Sequence, residues 1–448
     1  MTFCKNQVVR AEISSYSADG FGVAKLDGFV IFVPLSARGD LLDIKLVKVL
    51  KNYAFGIIER IITPSKFRIE PCCPAFSKCG GCDFLHISYE EELALKSELV
   101  RDAMARIGGF SDSLPEVVPS PALFRSRNKA LFPIEKGENG AVFGFYRRHS
   151  HAVVPVSDCP INDERASALA RAVTDWADEN QIEIYSELNN SGIIRRVFTR
   201  CSEKEVLLTL VCAKMPPKTD ALTEKCRAVC PGLCGIVLNI NDRRTNLALG
   251  DKCITVWGKN TLGDTLCGKV FELSPLSFYQ VNHAQAEQLY EYAVSLCALD
   301  KSRDALDLYC GVGTITLALA EKCRRAVGAE IVERAIEDAR KNAARNNAEN
   351  ADFICADAGF AAEKLGKEGF SPYAIVCDPP RKGMDARALD AVLSFKAERI
   401  VYVACEPSSL ARDGKYLCEH GYALSEYKCF DMFPRTANVE TCAVFIRG

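Results

Sequence analysis

The sequence predicts an α/β protein: a doubly wound parallel sheet preceded by a small OB-like β-barrel and a mixed α+β region. Three observations carry this. Residues 271–448 alternate apolar strand-like runs with helical periodicity. Residues 1–62 hold short alternating runs separated by turn signals. Residues 63–270 mix both patterns behind a cysteine cluster. These stretches are the expected domains.

The barrel comes first. Alternation marks Val8-Val9-Arg10-Ala11-Glu12-Ile13 and Gly28-Phe29-Val30-Ile31-Phe32-Val33, and Asp19-Gly20, Asp27-Gly28 and Arg38-Gly39-Asp40 supply turns. Five such strands fit an OB-like closure. Lys45, Lys48, Lys51 and Tyr53 place cations and an aromatic on its later strands. In the middle stretch a helix is expected over Tyr89–Ile107. Basic groups at Arg125/Arg127/Lys129, Arg147/Arg148, Arg195/Arg196 and Arg243/Arg244 are interleaved with Phe124, Phe132, Phe143, Phe145 and Tyr146. Such clusters favour a phosphate-backbone groove. The last stretch has candidate strands ending at Tyr309, Glu330, Asp357, Asp378 and Cys405, with a helix over Ile331–Asn347. Two final runs, Ser425–Phe433 and Glu440–Arg447, lie close enough to form a hairpin, so one of them runs antiparallel to the rest.

Composition narrows the class. The 448 residues are 48% hydrophobic, with no stretch able to span a bilayer and no apolar signal core at the start. A soluble cytoplasmic protein is expected, with no membrane contact and no obligate protein partner. The 22 cysteines are spread through apolar strands and helices, which favours reduced thiols with a metal-binding or catalytic subset. The net charge of −2 excludes a uniformly basic nucleic-acid binder, yet residues 1–68 hold 10 Lys/Arg against 6 Asp/Glu.

Motifs then point to chemistry. Gly311-Val312-Gly313 lets a ligand approach the first parallel strand, and Glu330 ends the next, where a carboxylate can accept both ribose hydroxyls. Thr316 replaces the third glycine of a dinucleotide turn, so the pocket suits a nucleoside without a pyrophosphate; S-adenosylmethionine fits. Asp357 can meet the adenine amino group or cap a helix. Asp378-Pro379-Pro380 makes a rigid rim after the fourth strand.

Cys405 ends the fifth strand, where open α/β sheets bind ligands. A thiolate there can add to C6 of a pyrimidine, convert the ring to an enolate and let C5 attack a methyl sulfonium. The C5 proton must then leave to a base, and Glu440, at the start of the last strand, is placed for it if that strand is antiparallel. Cys73, Cys79 and Cys82, with remote Cys159 before a proline, look more like a [4Fe–4S] ligand set than a zinc site; Cys72 is a competing ligand.

Together these residues resemble the bacterial RNA 5-methyluridine methyltransferases, over nearly the whole chain. The resemblance is to the 23S ribosomal RNA branch, which carries a TRAM domain and an iron–sulfur domain. It implies a TRAM module through Gly28–Pro34, cluster ligation by Cys73, Cys79, Cys82 and Cys159, and cofactor contacts from Gln280 of Ser277-Phe278-Tyr279-Gln280-Val281-Asn282. It further implies that Tyr309 and Gly311 line the cofactor site, Glu330 holds the ribose, Asp378 belongs to that site, Cys405 is the nucleophile and Glu440 the proton acceptor. The implied reaction is methyl transfer from S-adenosylmethionine to a uridine C5 in structured RNA. Transfer RNA is the alternative substrate, disfavoured because that branch usually lacks the barrel and cluster. An inactive RNA-binding iron–sulfur protein is a second alternative. Its support is Glu406, where the family usually has Asn beside the nucleophile; a carboxylate there tends to oppose thiolate formation.

Overall fold

A computed structural model describes residues 3–111, 113–244 and 247–448. Among these residues, strands form a closed five-stranded barrel, a seven-stranded sheet, a two-stranded hairpin and an eight-stranded sheet. No helix among them is long and apolar enough to cross a membrane.

The barrel consists of β1 (Val8–Tyr16), β2 (Gly22–Leu26), β3 (Phe29–Val33), β4 (Leu41–Val49) and β5 (Tyr53–Thr63), closed in the order β1-β2-β3-β5-β4. Alternation explains it: Val9, Ala11 and Ile13 point inward from β1 and meet Leu42, Ile44 and Leu46 of β4. Outside, Tyr53, Phe55 and Phe32 form an aromatic cluster with ring centroids 5.6–5.7 Å apart.

Helix α1 (Tyr89–Ala103) follows the cysteine loop, with Ser88 as its N-cap. The helix expected to reach Ile107 instead closes with a π turn over Met104–Gly108. Lys96 of α1 is wholly buried, 2.8 Å from Glu92 and 2.5 Å from Asp431. Stripping one partner from such a network leaves an uncompensated charge, at a cost of about 3–5 kcal/mol. The network fastens α1 to the far end of the chain.

The seven-stranded sheet, in the order β13-β12-β11-β10-β7-β8-β9, follows the short strand β6 (Val117–Val118). It contains β7 (Lys129–Gly137), β8 (Gly140–Tyr146), β9 (Val153–Pro155), β10 (Ile194–Cys201), β11 (Val206–Cys212), β12 (Leu233–Ile240) and β13 (Lys252–Gly258). Helices α2 (Glu164–Glu179) and α3 (Thr219–Val229) cover one face, where Trp176 is fully buried. The other face sends Leu207 and Val237 into the core of the C-terminal sheet. Strands β10 and β11 are therefore buried on both sides.

A hairpin of β14 (Leu262–Leu266) and β15 (Lys269–Leu273) leads to α4 (His283–Leu296). The doubly wound unit then runs through β16 (Asp304–Leu308), α5 (Thr314–Ala320), β17 (Arg325–Glu330), α6 (Glu333–Arg345) and β18 (Ala351–Cys355). It continues with α7 (Ala358–Lys367), β19 (Ala374–Cys377), α8 (Ala386–Ser394), β20 (Arg399–Ala404) and α9 (Pro407–Glu419), and ends with β21 (Tyr422–Phe430) and β22 (Glu440–Arg447). The order β18-β17-β16-β19-β20-β22-β21-β6 reverses between β16 and β19, which opens a ligand crevice at their carboxyl ends. Strand β22 is antiparallel to both neighbours, as the closing hairpin requires.

Candidate active site

The crevice is built by a sharp turn after β16. Tyr309 (φ 69°), Gly311 (φ 54°) and Gly313 (φ 86°) all occupy the left-handed region. That conformation suits glycine at 311 and 313 and is unusual for Tyr309. It ends the strand one residue before the expected Tyr309. Nothing lies within 4 Å of where a Gly311 Cβ would stand, so the turn leaves open space beside it. Glu330 is fixed beside this turn: its Oε2 accepts from Gly311 N at 3.3 Å and its Oε1 from Val332 N at 3.0 Å.

Gln280, Tyr309, Gly311 and Asp378 line one cavity together with Phe278, Tyr290 and Thr314. Gln280 is buried, and the segment carrying it is gripped by the central sheet. Asn128 Nδ2 donates to Gln280 O at 3.0 Å, and buried Arg200 donates to the carbonyl of Ser277. Tyr290 went unnoticed in the sequence; it is buried on α4 and lines the cavity beside Gln280 and Thr314. Asp307 also escaped notice. Burial pushes its carboxyl to about 7, and Thr316 Oγ1 donates to it at 2.6 Å, which gives that threonine a role at the missing glycine position. Asp357 lies outside this cavity's lining and caps α7, its Oδ1 accepting from Phe360 N at 3.0 Å.

A second group of side chains adjoins the cavity through Asp378. Ala404 of β20 pairs with Thr441 of β22, so one step outward Cys405 stands across from Glu440. The charges interact. Burial raises Cys405 to about 11, with further upward pressure from Glu440 and Asp378 and relief from Arg381. Burial raises Glu440 to about 8, reinforced by Asp378 and again relieved by Arg381. Burial alone raises Asp378 to about 7. Four side chains from three strand ends thus share one field, in which burial holds both carboxyls well above the usual carboxylate range. Glu406, beside the thiol in sequence, takes a hydrogen bond from Ser408 Oγ at 2.9 Å, and Glu440 and Asp378 are carboxylates that raise Cys405.

Cys73, Cys79, Cys82 and Cys159 line a second cavity, with Arg127 in its wall, while Cys72 is exposed and does not line it. Burial raises the Cys79, Cys82 and Cys159 thiols. Among the described residues no group of three or more His, Cys, Asp or Glu is gathered closely enough for a single metal ion.

The basic clusters need correction. Arg195 and Arg196 are buried on β10; Arg195 donates to the carbonyls of Asn241 and Arg243 at 2.9 and 3.0 Å. Phe132 and Phe143 are core residues. Both faces of β10 are covered, so alternating cations along it cannot reach solvent. Arg147 and Arg243 remain exposed. Arg147 shares a groove with Lys48, Phe21 and Phe55 of the barrel, and with Tyr146.

Comparison with known proteins agrees with this architecture. A family profile described as tRNA (Uracil-5-)-methyltransferase matches residues 268–447, and a TRAM domain profile matches residues 2–58. The chain is 39% identical over 447 residues to an RNA methyltransferase of Bacillus cereus, covering 99% of this chain and 97% of the relative. It is 37% identical over 440 residues to one of Clostridium tetani, covering 98% and 96%. The tRNA (uracil-54, C5)-methyltransferase of Pyrococcus abyssi, solved with S-adenosyl-L-homocysteine, superposes with a TM-score of 0.80 at 28% identity over 98% of this chain and 99% of that one. The chain belongs to the S-adenosylmethionine-dependent RNA (uracil-5-)-methyltransferase family.

Proposed function

We propose that this protein methylates C5 of a uridine in 23S ribosomal RNA through a covalent bond between Cys405 and C6 of the base. The observation that carries the reading is the pairing of β20 with β22, which sets Cys405 across from Glu440 beside Asp378, a wall of the cofactor cavity.

S-adenosylmethionine, when bound, supplies an electrophilic methyl on a sulfonium whose positive charge favours the ionised forms of Asp378 and Cys405. Gln280, Tyr309 and Gly311 bound its site and Glu330 takes the ribose hydroxyls, while Asp357, outside the cavity lining, serves as the cap of α7. The target uridine leaves its stack to reach the crevice. Cys405 Sγ bonds to C6, and the displaced ring electrons form an enolate. C5 then takes the methyl, and Glu440 removes the C5 proton. The C6–S bond breaks and the thiolate returns.

Residues 1–62 serve as an RNA-binding barrel, 63–270 as a cluster and RNA-binding unit, and 271–448 as the transferase. The four cysteines suit a [4Fe–4S] cluster, in which each thiolate takes a different iron, better than one shared ion. Held by Cys73, Cys79, Cys82 and Cys159, such a cluster would order the central unit; methyl transfer itself involves no redox step. Anaerobically purified protein is expected to hold about four iron ions per chain. Cys82→Ala should lose that iron and most RNA affinity while keeping its affinity for S-adenosylmethionine; iron retained in full would refute the ligand assignment.

A second substrate is favoured by one observation. The Pyrococcus abyssi enzyme is a transfer RNA methyltransferase by its description, yet it matches this chain end to end, so this architecture does not by itself argue against transfer RNA. Labelled S-adenosylmethionine offered with unmodified large-subunit RNA and with transfer RNA decides between them. Label in 5-methyluridine of ribosomal RNA supports the proposal, label in transfer RNA alone replaces the substrate, and binding of both without transfer abandons catalysis. The protein is expected to act in the cytoplasm.

A further inference from the structure

We infer that Asp83 is a positioning residue for proton removal, tying the cysteine loop to the connection that delivers Glu440. The inference rests on the reading of Glu440 as proton acceptor.

Glu440 opens β22 at the end of a nine-residue connection, Asp431 to Val439, with no regular secondary structure of its own. Such a segment would ordinarily be among the loosest parts of a fold. Here residues 83–96 hold it from one side. At its start, Lys96 and Tyr89 reach Asp431 at 2.5 and 2.7 Å. In its middle, Arg435 N donates to Glu92 at 2.7 Å, while Arg435 O accepts from Asp83 N at 2.8 Å and Phe84 N at 3.1 Å. Arg435 itself takes a left-handed φ of 68°, a conformation this clamp must sustain.

Among residues 83–96, the anchor nearest to Glu440 is Asp83. Its Oδ2 accepts from Ala437 N at 3.0 Å, three residues before Glu440. Its Oδ1 accepts from Arg148 Nη2 at 2.7 Å, and that same nitrogen donates to Cys82 O. One carboxylate therefore joins the cysteine loop, the β8–β9 turn and the run into β22. Asp83 lines neither the cofactor cavity nor the cysteine cavity; its link toward the reacting side chains is the run into Glu440, and iron content separates that route from its bridge to the cysteine loop. A base displaced by about 1 Å can cost on the order of a hundredfold in rate.

The step at risk is a single one. Addition of Cys405 and methylation of C5 do not use Glu440; loss of the C5 proton does. A displaced Glu440 therefore stalls the reaction after methylation, with RNA still bonded to Cys405. Asp83→Ala, Asp83→Asn, Glu440→Gln and the wild-type protein, all purified anaerobically with iron content measured, would be incubated with ordinary RNA substrate and S-adenosylmethionine and resolved under denaturing conditions. Asp83→Ala should accumulate the covalent RNA–protein species as Glu440→Gln does. Its turnover should fall about ten- to a hundredfold while its S-adenosylmethionine affinity stays within about twofold. Asp83→Asn keeps an acceptor for Ala437 N and should accumulate less. If Glu440→Gln accumulates the species and neither Asp83 variant does, the positioning role is overturned, whatever the loss of rate or stability. If Glu440→Gln also fails to accumulate it, the assignment of the base is at fault and the inference falls with it.

Discussion

Cys405→Ala abolishes methyl transfer, by at least about 10⁴-fold, and leaves S-adenosylmethionine binding intact. Uracil C5 acquires nucleophilic character only after addition at C6, and no other thiol in the crevice replaces Cys405: Cys310 and Cys377 are buried in the strand ends behind it. The side chain is half-buried at a strand terminus, so its truncation should change stability by less than about 1 kcal/mol. The experiment measures turnover on RNA alongside cofactor affinity. Residual transfer within tenfold of wild type would remove the covalent step from the mechanism.

Glu440→Gln should lower turnover by about 10²- to 10⁴-fold and at the same time stabilise the fold. The wild-type carboxyl is buried, and its value is raised from 4.5 to about 8. Below pH 4.5 both the folded and unfolded chains keep this proton. Between 4.5 and 8 only the unfolded chain loses it, so stability falls as pH rises through that window, and the contribution is gone above 8. Glutamine removes this slope. A net gain of about 1–3 kcal/mol at pH 8 is expected, after allowance for burying the amide, and denaturant midpoints of the two proteins should converge toward pH 4.5. Turnover of the wild type should climb with pH toward about 8, as Glu440 becomes able to accept a proton. A flat profile between pH 6 and 8.5, or a variant no more stable than wild type, would contradict burial of an ionising base.

Much of this was legible in the chain because strand ends carry the chemistry. Alternating strands and helices placed Glu330, Asp378 and Cys405 on one sheet edge, and a short closing hairpin turned β22 so that Glu440 reached it. Strand boundaries slipped by up to three residues: the left-handed Tyr309 ends β16 before its apolar run ends, and β21 spans Tyr422–Phe430 where Ser425–Phe433 was expected. One basic pair misled because charge in a sequence does not reveal burial: Arg195 and Arg196 look like a phosphate-gripping pair, but both faces of β10 are covered and Arg195 donates to carbonyls, whereas Arg125, Arg147, Arg243 and Arg244 are exposed. Tyr290 and Asp83 were illegible for a related reason. Tyr290 reaches the cavity from α4, and Asp83 meets Ala437 354 residues away in sequence, so no local pattern announces either.

The central claim is the bond between Cys405 and the base, and RNA carrying 5-fluorouridine tests it most directly. Fluorine at C5 cannot leave as a proton, so a chain that forms the bond is trapped after methylation. A denaturation-stable RNA–protein adduct is expected, its cross-linked peptide containing Cys405, with none formed by Cys405→Ala. Methyl transfer to unsubstituted RNA without a trapped adduct, or an adduct mapped to another cysteine, would contradict it.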